Sequence, residues 1–153
     1  MEKLITWEKG FFSRTYKFYS NSIEIGFLKI GAWSNKAKGT INSKEYDFIT
    51  KGFFKQETSI IDSKTTLIVG TIIYNKWKSK ATIKLPDGVE YNWQYTNFWH
   101  TKWSLNKDLY FINYKGSGLK GEIVSYISDE LIIMTGLFIA NYYTQKRTAA
   151  ATT

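Results

Sequence analysis

The chain has 153 residues, of which 18% are aromatic, with one proline, no cysteine and a formal net charge of +8. That length supports one domain with a substantial core. The aromatic content excludes a disordered chain, and the lack of cysteine excludes a disulfide framework and thiol chemistry. The positive balance is compatible with nucleic acid, an anionic membrane or an acidic partner, and selects none of them.

The first residues, Met1-Glu-Lys-Leu-Ile-Thr-Trp7, lack the apolar core and small-residue cleavage site of a signal peptide, so a cytoplasmic location is expected. From there the chain alternates apolar and polar residues with period two and repeats itself. Lys9-Gly-Phe-Phe12 recurs as Lys51-Gly-Phe-Phe54, and a weaker copy is Thr96-Asn-Phe-Trp99. An aromatic strand-like segment precedes each copy: Leu4 to Trp7, Tyr46 to Ile49 and Tyr91 to Gln94. An alternating strand follows each: Arg14 to Tyr19, Gln56 to Ile61 and Thr101 to Leu105. Further along, Gly26 and Trp33 correspond to Gly70 and Trp77, and Tyr74 and Lys80 to Tyr114 and Lys120.

The alignment predicts three four-stranded units, about 3–42, 45–86 and 90–127. Turn chemistry marks joints at Asn21-Ser22, Asn42-Ser43, Asp87-Gly88 and Lys107-Asp108. A twelve-stranded sheet with free edges is an aggregation hazard, so closure of the first strand on the last is expected.

The remaining segment, Asp129 to Tyr143, is apolar on every helical face apart from Thr135, Gly136 and Asn141. Such a helix must be buried all round, and it is shorter than the roughly 18 residues of a membrane span. Asp129 is placed to cap it, with Lys146 and Arg147 expected just past its end. The expected fold is therefore mainly β: a closed twelve-stranded antiparallel barrel of three four-stranded repeats, with a hydrophobic C-terminal helix (about 129–145) buried through it. Residues 1–147 form this single domain, and 148–153 are expected to be a flexible tail.

Asp129-Glu-Leu-Ile followed by Gly136-Leu-Phe-Ile-Ala-Asn-Tyr-Tyr143 resembles the helix of phospholipid scramblases. With the order of elements, it extends the resemblance to tubby C-terminal domains and LURP-one-related proteins, whose shared fold is a twelve-stranded barrel around a buried helix. The resemblance implies fold first. Tubby domains bind phosphoinositides through surface lysines and arginines, but no site motif matches position for position. The acidic calcium segment and palmitoylation signal associated with scramblases are also missing here.

Little in the residues points to catalysis. His100 is the only histidine, in a turn beside Trp99, and is expected to be structural or simply exposed. The carboxylates Glu45, Asp47, Glu57, Asp87, Glu90 and Glu122 are scattered. Tyr114-Lys-Gly-Ser-Gly-Leu-Lys-Gly121 lacks the lysine-hydroxyl ending of a phosphate loop and reads as a strand joint. A non-enzymatic module without metal or cofactor is expected.

The strand joints carry the functional hint. They place Lys36 and Lys38, then Lys76, Lys78 and Lys80, then Lys115 and Lys120, with Trp33 and Trp77 among them. Lysine with tryptophan suits an anionic membrane interface or a phosphate-bearing ligand. The three joints are expected to spread around a barrel rim. The Lys-Gly-Phe-Phe turns are expected to use glycine for a tight corner and their rings to fill the barrel end. Two functions follow as expectations: binding of phosphoinositide or other anionic lipid headgroups through the basic joints, or protein interaction through an exposed aromatic face. Nucleic acid has no stacking signature to support it.

Overall fold

The computed structural model describes residues 2–32 and 35–152. Twelve strands close into one antiparallel barrel: β1 (Lys3–Lys9), β2 (Thr15–Ser20), β3 (Ile23–Ile30), β4 (Lys36–Ile41), β5 (Lys44–Lys51), β6 (Glu57–Asp62), β7 (Ile68–Asn75), β8 (Lys80–Lys84), β9 (Glu90–Tyr95), β10 (Lys102–Lys107), β11 (Tyr110–Gly116) and β12 (Lys120–Ser125). Each strand pairs with its sequence neighbours. The ring closes where Ile5 faces Ile123 and Trp7 faces Gly121 across the β1–β12 pair.

Alternation decides which side chains fill the barrel. Ile5, Trp7, Phe18, Leu28, Phe48, Ile60, Ile72, Ile83, Trp93, Leu105, Ile112 and Ile123 point inward and are buried. The intervening positions put ion pairs such as Lys17–Glu24 and Lys38–Asp47 on the outer wall. Gly26 and Gly70 occupy matching places. Each lies where the register slips by one residue, between Phe18 and Tyr19 and between Ile60 and Ile61. A side chain at Gly26 would meet the Thr40 carbonyl oxygen at 2.1 Å.

The helix α1 (Glu130–Thr152) threads the barrel. Asp129 caps it, accepting from the Leu131 amide at 3.0 Å. Every residue from Leu131 to Tyr143 is buried except Asn141, which is half-buried. Two corrections apply beyond that point. The segment 148–152, expected as a flexible tail, continues the helix, and Lys146 and Arg147 therefore lie within it. The alanine run Ala149–Ala151 explains this, since alanine is the strongest helix former. No helix among the described residues is long and apolar enough to cross a membrane.

Because all twelve strands are antiparallel, every odd-to-even connection lies at one end of the barrel and every even-to-odd connection at the other. The helix enters after β12, at the even-to-odd end, where Glu130 meets Lys3 and Asn42. It leaves at the odd-to-even end. There Asn141 accepts from the Tyr16 hydroxyl, Tyr142 donates to Gln56, Tyr143 donates to the Lys80 carbonyl and Arg147 donates to the Tyr95 hydroxyl. These two ends are called the entry and exit ends below. Tight turns close the entry end: Asn21-Ser22 and Asn42-Ser43 both sit at positive φ, 51° and 66°, then 47° and 69°.

Candidate functional site

Topology gathers at the exit end all six segments that the sequence singled out. Around the rim the three aromatic turns (10–14, 52–56 and 96–101) alternate with the β3–β4, β7–β8 and β11–β12 joints, which the predicted lysines carry or flank. Gly52 makes its corner at φ 107°, a conformation that favours glycine. The expectation that the rings fill the barrel end is overturned. Phe11, Phe12, Phe53, Phe54, Phe98 and Trp99 are all exposed, Phe12 to 94%. The inward positions at that level belong to Tyr16 and Trp93 on the strands and to Tyr142 and Tyr143 on the helix, while the turns lie beyond the strand ends and their rings stand outward. In each turn the two rings pack edge to face, with centroids 4.7, 4.8 and 5.4 Å apart.

The predicted lysines reach the same end but no common pocket. Lys36 opens β4 and, with Lys146, lines a small 60 Å³ cavity beside the helix. Lys38 lies one residue pair further down the outer wall, 3.8 Å from Asp47. Lys76 and Lys78 flank Trp77 in the β7–β8 turn, where Trp77 is 95% exposed, and Lys80 opens β8. Lys115 and Lys120 share an open cleft on the outer wall, Lys115 facing Glu122 and Lys120 facing Glu8 across the strands. Trp33 lies outside the described residues. Corresponding joints are four strands apart, about 19 Å along the sheet at ~4.8 Å per strand. The lysines thus form an interrupted ring, not a cluster.

Charge separates the two ends. The exit-end loops carry Arg14, Lys55, Lys76 and Lys78 and no carboxylate, and Lys146 and Arg147 emerge among them on the helix. The entry-end loops carry Asp87, Asp108 and Asp129 against Lys64 alone. The entry end also exposes Ile23, Leu67 and Leu109, so apolar exposure alone does not distinguish the ends. The coincidence of rings with loop cations that no loop carboxylate accompanies does.

Sequence reasoning missed Arg147, placed beyond the helix, while His100 is exposed, one of the two states expected of it. Arg147 reaches the Tyr95 hydroxyl at 2.9 Å and lies over its ring, with 5.4 Å from guanidinium carbon to ring centroid. His100 packs on the other part of that tyrosine, ring centroids 4.2 Å apart. Partial burial, and then the Arg147 charge, lower the His100 pKa. Helical spacing from Asn141 to Arg147 could have placed the arginine at the barrel mouth. Nothing local could have placed His100. Among the described residues no three His, Asp or Glu side chains converge as metal ligands would. Comparison with protein-family models, with curated proteins and with solved structures finds no match for this chain.

Proposed function

We propose that this chain is a non-enzymatic, tubby-like binding module that docks its exit end on an anionic lipid surface. The carrying observation is the alternation of exposed aromatic turns and lysine joints around one end whose loops contain no acid. Aromatic rings favour the interfacial zone of a bilayer, and lysines favour its anionic headgroups. A lysine near an anionic leaflet contributes about 1 kcal/mol. Several of them, added to partial burial of the rings, approach the roughly 8 kcal/mol of a micromolar complex. An interrupted ring suits a surface better than a single headgroup, because a surface meets every joint at once. The likeness to tubby-like domains accords with this reading, since those proteins bind phosphoinositides through basic surface residues.

Co-sedimentation with vesicles at physiological salt tests it. Binding to vesicles containing phosphatidylserine or phosphoinositide, with little on phosphatidylcholine alone, is the expected result. Equal partitioning onto neutral and anionic vesicles would overturn the electrostatic half of the proposal. Absence of binding to either would favour a protein partner for the exposed rings.

A further inference from the structure

The helix does not fill the barrel evenly at the exit end. On one side Phe138 stacks on Phe48, Tyr142 on Tyr74 and Tyr143 on Trp93, with centroid distances of 4.6, 3.8 and 5.5 Å. On the other side Leu137, Ala140, Asn141, Thr144 and Arg147 follow one another at helical spacing; Asn141 reaches Tyr16 on the wall, while Ala140 and Thr144 beside it are short. Between this stripe and the wall lies a cavity of about 400 Å³, within the roughly 300–1,000 Å³ typical of small-molecule sites.

Its chemistry is one-sided. Flat walls come from Trp7, Tyr16, Tyr95 and Trp103, cations from Lys9 and Arg147 and a neutral imidazole from His100, while no Asp or Glu contributes to the lining. The indole N–H groups of Trp7 and Trp103 are buried and have no acceptor among the described residues, a costly state for a buried donor. Tyr16 donates to the Asn141 carbonyl oxygen at 3.0 Å, and the Asn141 amide nitrogen has no hydrogen-bond acceptor among the described residues.

The mouth is held in place. Arg147 donates to Tyr95 at 2.9 Å and to Thr144 at 3.4 Å, using two of its five N–H donors. The loop bearing His100 is fastened by Asn97, which accepts from the amides of Thr101 and Lys102 at 3.0 and 3.1 Å. His100 itself is held at φ 59°, unusual for a residue with a side chain.

We propose that this cavity binds a small aromatic anion, a carboxylate or a phosphate monoester. Its ring would lie between the tryptophan and tyrosine walls, and its anionic end would face Arg147 and His100. The proposal rests on the interior of the barrel mouth and not on the rim, so it stands or falls separately from membrane docking.

The test is a nuclear magnetic resonance titration of the ¹⁵N-labelled full chain, following the indole N–H signals of Trp7 and Trp103. The probes are benzoate, phenyl phosphate, inorganic phosphate, benzyl alcohol and dihexanoyl phosphatidic acid. Benzoate or phenyl phosphate is expected to shift both signals saturably, about tenfold more tightly than inorganic phosphate or benzyl alcohol. Arg147→Met, on the exposed part of the helix, is expected to weaken that binding about tenfold. Ala140→Leu, which fills the cavity, should abolish it. The proposal is overturned if neither aromatic anion gives a saturable shift, or if benzyl alcohol binds as well as they do. It is also overturned if only Trp77 and Trp99 respond, or if the lipid phosphate alone moves the cavity signals, which would assign the cavity to the membrane face.

Discussion

The hydroxyl of Tyr114 on β11 donates to the carbonyl of Ile133 on α1 at 2.7 Å. It does so through the space left by Gly136, whose own carbonyl accepts from the Trp93 indole at 3.0 Å. A Cβ at Gly136 would lie 2.1 Å from the Tyr114 hydroxyl oxygen. Two strands, β9 and β11, thereby grip the helix within its first two turns and fix its depth and rotation. The side chains that reach the exit end follow from that rotation.

Gly136→Ala is therefore expected to destabilise the fold. Alanine is favoured over glycine in a helix by about 1 kcal/mol, but overpacking a buried contact typically costs about 1–3 kcal/mol, and this contact is far inside van der Waals range. A lower urea midpoint with an unchanged slope is the expected outcome. A neutral or stabilised variant would mean that the Tyr114 grip is loose. Tyr114→Phe, which removes one hydrogen bond without adding volume, should cost about 1 kcal/mol.

Alkali should unfold the barrel. Burial pushes Tyr16 and Tyr142 up to about 12 and also raises Tyr74, Tyr114 and Tyr143. In the unfolded chain these phenols ionise near 10, as free tyrosine does. Above that pH the unfolded state binds fewer protons than the folded one, so stability falls as pH rises. It is complete below about 10 and is lost as pH climbs toward the folded values. Urea midpoints across that range, read beside tyrosinate absorbance, should fall together with a late, cooperative ionisation step. Smooth ionisation of every tyrosine in the intact fold would contradict the packing described.

His100 should titrate below the ordinary histidine value, about 6.5. Desolvation contributes most of the shift and Arg147 the rest. Its contribution to stability is present above the unfolded pKa and is lost as pH falls through the lower, folded one. Imidazole proton shifts followed against pH should show this, and Arg147→Met should bring the midpoint part of the way back. An unchanged midpoint in that variant would separate the arginine from the histidine.

How much of this was legible in the sequence differs from element to element. Twelve strands, their order and the buried helix could all be read, because period-two alternation and an unbroken apolar helix each allow one arrangement. Closure was legible from the absence of any edge protection. The aromatic turns were placed correctly along the chain but turned the wrong way. Lys-Gly-Phe-Phe does not say which direction its rings face, and that depends on where the turns stand relative to Tyr142 and Tyr143, which are distant in sequence. The lysine joints were legible individually, while their sharing one end with the rings is a property of antiparallel topology. A helix buried through a barrel says nothing of gaps beside it. The cavity beside Ala140 and Thr144 arises from side-chain size on one helical stripe, and sorting residues into apolar and polar does not register size.

The exposed rings should matter for docking and not for folding. Phe12→Ser combined with Phe54→Ser removes two side chains that are almost fully exposed, so the urea midpoint should move by no more than about 0.5 kcal/mol per site. Affinity for phosphatidylserine vesicles should fall about tenfold or more, since two rings leave the interface. Unchanged affinity would assign docking to the lysines alone.

Spin labelling of the chain, which has no cysteine of its own, can report which end meets the bilayer. Nitroxides attached at Phe54→Cys and Trp77→Cys sample the exit end, and those at Ile23→Cys and Leu109→Cys sample the entry end. On phosphatidylserine vesicles the exit-end labels should become accessible to oxygen and protected from a water-soluble nickel complex, while the entry-end labels stay in water. Immersion of the entry-end labels instead, or continued water exposure of all four on vesicles that bind the protein, would contradict docking through the aromatic and lysine rim.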